Sequence, residues 1–481
     1  PPPFVIIDPP PQFVTDPPAP FVTDPPPPPG ESEEIPPPVS ENNAEPDPTT
    51  ESTNPIEGQI LQDAPSTTGE AQPMSPLSEQ EVDRPGYESQ LAVADVGVAV
   101  QMLEEYQAME FSNYLEVELF GETATPDEIA QTLYDLWQAT GNKSALIYVS
   151  ALAEQLELVI ISPHNFRVAQ GNSDLVASTD LAQGLIERTT DIAIRQTVPN
   201  VSQEQLLEQV QNLRSELTNP RRINSRSYLP IAQSLYQSLI APMEAQLEAN
   251  EIETLVFSMD SGLRTLPLAA LHDGEQFLLE KYAVALVPSF GLTDVTYSDI
   301  RNREVLAMGS AIFSDLNPLP AVPTELQNII RNSWQGNVFL NEEFTAKNFR
   351  QVNLEKQYGI IHLATHAEFQ GGNLDNSFIT FYDSRVGLNQ IRDLATELGW
   401  NTSVNPPIEL LTLSACRTAV GDTQAELGFA GLAVLSGAKA SLASFWYVSD
   451  AGTLGLMSEF YSQLAEKPLK AEALRQTQLA L

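Results

Sequence analysis

From about Leu91 onward, the chain alternates between helical and strand-like hydrophobic rhythms. Helical spacing comes first. The stretch "AVADVGVAVQMLEEYQAMEFSNYL" repeats its apolar residues at helical intervals, and "TPDEIAQTLYDLWQATG" opens on Thr125-Pro126-Asp127-Glu128, a capping-box pattern with proline at the first helical position. Two strand-like runs follow, "ALIYVSAL" and "LELVIIS", with a hairpin-like connection between them. Residues 180–250 return to a helical pattern, and Pro242 predicts a kink or interruption in "IAQSLYQSLIAPMEAQLEAN". Beyond residue 250, short apolar runs such as "ETLVFSM", "YAVALVP", "VLAMGSA", "YGIIHLATH" and "IELLTLSA" alternate with amphipathic segments such as "PTELQNIIRN" and "TLGLMSEFYSQLAE". Continuous apolar strands separated by helices predict an α/β fold with a mostly parallel sheet flanked by helices on both faces. Residues 91–250 then form a helix-rich N-terminal part with a small β-hairpin, and residues 251–481 form the α/β part.

Residues 1–90 follow neither rhythm. They begin PPPFVIIDPPPQFVTDPPAPFVTDPPPPPG, a short Phe-Val-x-x-Asp-Pro type repeat with Phe4, Phe13 and Phe21 as its aromatics, and they carry 17 acidic residues against the single Arg84. Proline at this density favours polyproline II over a packed helix or sheet. The segment therefore reads as a disordered acidic Pro-rich linker, in preference to a ligand for a proline-recognising partner.

Charge narrows the partners. With 24 basic and 64 acidic residues, the chain has a formal net charge of −40, which argues against nucleic acid and anionic membrane surfaces and favours basic peptides or protein segments. No uninterrupted apolar run approaches the roughly 18 to 20 residues of a membrane span. The first residue is Pro1 and not Met, so any signal peptide or anchor is expected upstream and the compartment stays open.

The chain has one cysteine, Cys416, in "LLTLSACRTAVGD". A lone cysteine is often a small packing residue. This one, however, comes just after an apolar run, where a buried strand hands over to a loop, and open α/β sheets place their chemistry there. Histidines stand at 164, 272, 362 and 366, and "GIIHLATHAEFQGG" puts His366 at the end of a second strand-like run. If those strands are parallel neighbours, His366 and Cys416 emerge at one carboxyl edge of the sheet. The imidazole could then keep the thiol ionised and pass its proton to a departing amine. His362 shares strand parity with His366, but a zinc-binding His-x-x-x-His pair needs a helix, so His362 is expected in the core. His164 and His272 read as loop residues. No metal site and no cofactor is expected. One cysteine rules out a disulfide within the chain, and no G-x-S-x-G elbow supports a serine hydrolase.

The motifs "IIHLATHAEF", "NSFITFYD", "LLTLSACRTAVGD", "ELGFAGLAVLSGAKASLASFWYVSD" and "KAEALRQTQLAL", in this order, resemble the CHAT domain, a caspase-like family related to separases and common in bacteria, including cyanobacteria. The separation of 50 positions between His366 and Cys416 (416 − 366) matches the caspase example. The resemblance extends upstream through "LPLAALHDGEQFLLEKYAVALVPS" towards the helices near residue 95, about four fifths of the chain. It implies a caspase-like α/β fold and a cysteine endopeptidase with a His366/Cys416 dyad. The backbone N–H groups of Ala367 and Cys416 would serve as oxyanion donors.

Two departures stand out. Many members have Gly where this chain has Ala367, and the family pattern continues past Leu481 with a further helix and an edge strand, so the C-terminal end is expected to be truncated. Asp450 and Asp422 are candidates for pairing a basic side chain before the scissile bond, as in separase-like relatives, with Trp446 as a groove wall. Asp450 reads equally well as a helix N-cap. The expected partners are a protein or peptide substrate of basic character and a regulatory protein. The alternative is a catalytically silent scaffold or interaction module.

Overall fold

The structure, a computed structural model, describes residues 83–117, 123–163, 192–222, 225–332, 334–370, 374–400, 408–415, 425–444 and 448–481. Residues 1–82, His164, Cys416, Asp422 and Trp446 lie outside the described residues.

Helices α1 (Arg84–Leu91), α2 (Val96–Leu115) and α3 (Pro126–Thr140) lead into strands β1 (Ser144–Ala151), β2 (Gln155–Ile161) and β3 (Ala193–Pro199). The expected capping box closes on α3. Thr125 Oγ1 accepts the Glu128 N–H at 3.3 Å, and Glu128 Oε2 accepts the Thr125 N–H at 2.8 Å, a cap worth about 1 kcal/mol. After α4 (Gln203–Thr218), the stretch around Pro242 divides as the proline predicts. It forms α5 (Leu229–Leu239), a 3-10 turn over Ala241–Met243 and α6 (Glu244–Ala249). Strands β4 (Thr254–Met259) and β5 (Ala283–Val287) complete a five-stranded sheet of order β3-β2-β1-β4-β5.

The expected hairpin of β1 and β2 is present, and β1 also pairs in parallel with β4. Burial explains why. Every residue of β1 after Ser144 is buried, which an isolated hairpin cannot provide, so the strand needs a partner on each edge and a layer on each face. Alternation along β1 sends Ile147 and Val149 to a core shared with α4, α5 and α6, and Leu146 and Tyr148 to a core shared with α2 and α3.

The second sheet begins with β6 (Val305–Gly309), α7 (Val322–Asn332), β7 (Gly336–Leu340), α8 (Ala346–Glu355) and β8 (Ile360–Ala364). A small antiparallel sheet of β9 (Ala367–Glu368), β10 (Phe378–Thr380) and β11 (Arg385–Gly387) follows, then α9 (Leu388–Glu397). β12 (Leu410–Ser414), α10 (Ala425–Ser436), β13 (Ser441–Ala443), α11 (Asp450–Glu466) and α12 (Lys470–Ala480) close the chain. The large sheet has order β13-β12-β8-β6-β7 and all its pairs are parallel. Helices α7 and α11 cover one face through Leu326, Ile329, Phe460 and Leu464, while α8 and α9 cover the other through Phe349, Val352, Leu388 and Ile391. No helix among the described residues is long and apolar enough to cross a membrane.

Helix α2 spans both halves. Its 20 residues extend about 30 Å. Ala99, Val100 and Leu103 serve the core of the first sheet, while Phe111 and Leu115 serve that of the second. Leu115 packs so closely on Gly431 of α10 that a β-carbon there would collide with it. Polar anchors fix the N-terminal helices to the carboxyl end of β4. Arg84 forks onto both oxygens of buried Asp260 at 2.8 and 2.5 Å, and Arg264 reaches Gln107 at 2.8 Å and Glu110 at 2.5 Å. Asp260 also accepts the Ala151 N–H at 2.9 Å. Removing one member of a buried pair leaves the other uncompensated, so Asp260→Ala is expected to cost about 3 kcal/mol. Urea unfolding followed by circular dichroism measures it, and a loss below about 1 kcal/mol would mean that this pair does not secure α1.

Candidate active site

Strand order locates the site. The chain passes from β6 outward to β7, then returns to place β8 on the other side of β6. The order therefore reverses between β6 and β8, the kind of switch point at which open α/β sheets place their sites. Register makes that edge flush: Ser414 of β12, Ala364 of β8 and Gly309 of β6 lie in one row. Two further bonds carry the pairing onward, from the Thr365 N–H to the Ser414 carbonyl and from the Ser310 N–H to the Ala364 carbonyl, each 3.1 Å. Glycine is needed at 309, because a β-carbon there would strike the Ala364 carbonyl oxygen.

His366 stands two residues past that row and is half-buried. Its Nε2–H donates to the Asn317 carbonyl at 2.8 Å. A carbonyl can only accept, so the neutral ring carries its proton on Nε2 and leaves Nδ1 as the proton acceptor. Phe313 packs edge-on against the imidazole, with centroids 4.7 Å apart. Both partners come from the loop between β6 and α7.

Ala367 begins β9, an edge strand, opposite Ile379. The Thr380 N–H donates to the His366 carbonyl at 2.8 Å, so 366 and 380 form a hydrogen-bonded pair. Antiparallel pairs alternate, so 367 and 379 are the non-bonded pair and the Ala367 N–H points away from β10. Ala367 is not among the positive-φ residues, so its conformation does not call on the freedom of the glycine that many relatives have there.

Cys416 follows Ala415, whose carbonyl accepts from Ser444 Oγ at 2.7 Å. Cys416 lies outside the described residues, as do Asp422 and Trp446. Asp450 is the first residue of α11 and not its cap. Ser449 caps the helix, its Oγ accepting the Gly452 N–H at 3.1 Å, while Asp450 Oδ2 accepts the Ala321 N–H at 2.6 Å. The acidic residue thus reaches across to the start of α7.

His362 is in the core, as strand parity suggests. It is fully buried, with Nε2 2.9 Å from Glu325 Oε1 and Nδ1 3.1 Å from the Tyr461 hydroxyl, which donates to Thr412 Oγ1 at 3.2 Å. Desolvation, with the Glu325 charge nearby, pushes the Tyr461 hydroxyl well above the usual phenol range. His272 occupies a tight turn, its Nδ1 accepting the Gly274 N–H at 2.9 Å. Sequence reasoning missed Asn317 and Glu325. Asn317 acts through its backbone and has no side-chain signature, and a buried Glu in an amphipathic helix looks like any solvated one.

A family model of the CHAT domain matches residues 229–481. The chain belongs to the CHAT domain family. No curated protein matches it. The CHAT domain is caspase-like and related to cysteine peptidases, and the match takes in β4, β5 and the whole parallel sheet. Beside this CHAT sheet, a cavity of about 1020 Å³ is lined mostly by apolar side chains, among them Leu286 and Val287 of β5, Ala443 of β13 and Leu474 of α12. It reaches Ser414 and Ala415, and His366 is not part of its lining.

The buried His362–Glu325 pair holds α7 to β8, and Tyr461 brings α11 into the same network. Glu325→Ala is expected to lower stability by about 1 to 3 kcal/mol by leaving the buried His362 Nε2 without its partner. Denaturant unfolding measures this, and a change of less than about 1 kcal/mol would contradict the network's role.

Proposed function

We propose that this CHAT domain is a cysteine endopeptidase acting through a His366/Cys416 dyad. The observation that carries the reading is the donation from His366 Nε2–H to the Asn317 carbonyl, because it leaves Nδ1 as the base at the carboxyl edge of β8. Cys416 supports it by position. It comes two residues after Ser414, as His366 comes two residues after Ala364, and Ser414 and Ala364 are register partners.

In this mechanism Nδ1 takes the thiol proton and the thiolate attacks the scissile carbonyl carbon. The developing oxyanion accepts from the N–H groups of Ala367 and Cys416. His366 gives the proton to the departing amine, and water, deprotonated by His366, hydrolyses the thioester and restores the thiol.

The substrate class is protein or peptide with a basic residue before the scissile bond, in keeping with a net charge of −40. Asp450 already holds the Ala321 amide, so basic pairing falls to Asp422 in this reading, with Trp446 as a groove wall. Residues up to 82 act as a linker, residues 84–250, with the docked helix α1 included, as the helix-rich N-terminal part and residues 251–481 as the peptidase part. A protein partner regulates activity.

Peptide ketones carrying Arg or Asp next to the warhead test the proposal, with the adduct located by intact mass and peptide mapping. Labelling of Cys416 that prefers Arg and is lost in both Cys416→Ala and His366→Ala is the expected result. Labelling no faster than that of a free thiol, in the presence of partner as well, would favour the scaffold alternative.

A further inference from the structure

The loop from 311 to 321 supplies the Asn317 carbonyl that fixes the proton of His366, so whatever holds this loop decides which ring nitrogen is the base. At its start, Asn341 Oδ1 accepts the Ala311 N–H at 2.8 Å, and Ser310 Oγ donates to the Ile312 carbonyl at 2.6 Å. At its middle the exposed Asp315 pairs with the exposed Arg385 at 3.0 Å, a contact worth little in water. At its end stands Asp450.

The Ala321 carbonyl accepts the Glu325 N–H at 3.0 Å, which makes Ala321 the residue that opens α7 and leaves its own N–H without an intrahelical acceptor. Asp450 Oδ2 takes that N–H at 2.6 Å from the first turn of α11. One carboxylate therefore faces the N-terminal ends of two helices, where a negative charge is favoured. Behind it the same helices are pinned together by Asn328 Nδ2 to Ser458 Oγ at 3.1 Å, and by Glu325 and Tyr461 meeting on His362. The loop thus hangs between the helix pair and the sheet edge, with Asp450 as the charged link at its α7 end.

We infer that Asp450 is a positioning residue for His366: it anchors Ala321, and through the 311–321 loop it sets the Asn317 carbonyl that keeps the imidazole in the Nε2–H form. This rests on the dyad reading above and assigns Asp450 away from the substrate pocket.

Asn and Ala at position 450 separate the two roles, because Asn keeps an oxygen that can accept the Ala321 N–H but loses the charge. Two readouts are taken on the full chain: labelling rates with peptide ketones bearing Arg or Leu next to the warhead, and the ring-nitrogen tautomer of His366 from isotope-labelled histidine, assigned with His366→Ala. Positioning predicts that Asp450→Ala slows both probes by about tenfold and populates the other tautomer, while Asp450→Asn stays within about threefold of the wild type and keeps the Nε2–H form. Equal losses in both variants confined to the Arg probe would overturn the inference and return Asp450 to substrate binding. An unchanged tautomer in Asp450→Ala would overturn it too. Wild-type labelling at the free-thiol rate would count against the peptidase reading alone, because the tautomer is read without turnover.

Discussion

Parallel pairing of β6, β8 and β12 in a single register is the constraint on which the candidate site depends. All five residues of each of these strands are buried, and a slip of one residue would turn each core-facing side chain to the opposite face. Gly309, Ala364 and Ser414 are therefore held level. Whatever the chain carries just beyond them is delivered to one edge. His366 and the Asn317 carbonyl meet there because β6 and β8 are adjacent parallel strands whose following loops leave from the same edge.

Support for this edge comes from both faces of the sheet. On one face, α7 and α11 are joined by polar groups at three levels. His362, Glu325, Tyr461 and Thr412 lie buried in the sheet core, Asn328 meets Ser458 along the helices, and Asp450 meets Ala321 at their ends. Buried polar groups cost free energy unless satisfied, and here each finds a partner on a different element, so they define the docking of two helices as apolar contact alone would not. On the other face α2 packs Phe111 and Leu115 into the core, while Glu104 accepts the Phe290 and Gly291 N–H groups at 2.8 Å. Helices that precede the family match are in this way structural parts of the CHAT body.

Local signals were read from the chain in most places. The exception is β3 (Ala193–Pro199), which lies in the stretch 180–250 expected to be helical and whose half-exposed, mixed polar residues form an edge strand held by pairing with β2. The Thr125–Glu128 box, the break at Pro242, the β1–β2 hairpin and the burial of His362 each depend on a few neighbouring residues, and each is found as expected. Long-range pairing was less legible. That β1 takes β4 as its parallel partner follows from burial on both faces, which a run such as "ALIYVSAL" permits but does not demand. The same limit applied at the site. His366 could be found because it is a titratable residue at a strand end, whereas Asn317 contributes only a carbonyl and Asp450 offered two readings until its carboxylate was placed on Ala321.

The central claim is that His366 activates Cys416, and the most direct measurement is the pH dependence of alkylation by a small neutral reagent such as iodoacetamide. One cysteine in the chain makes the signal unambiguous. Wild-type protein should react with a midpoint well below the ordinary thiol value of about 8.5, and His366→Ala should return to it. Superimposable profiles for the two proteins would contradict the account.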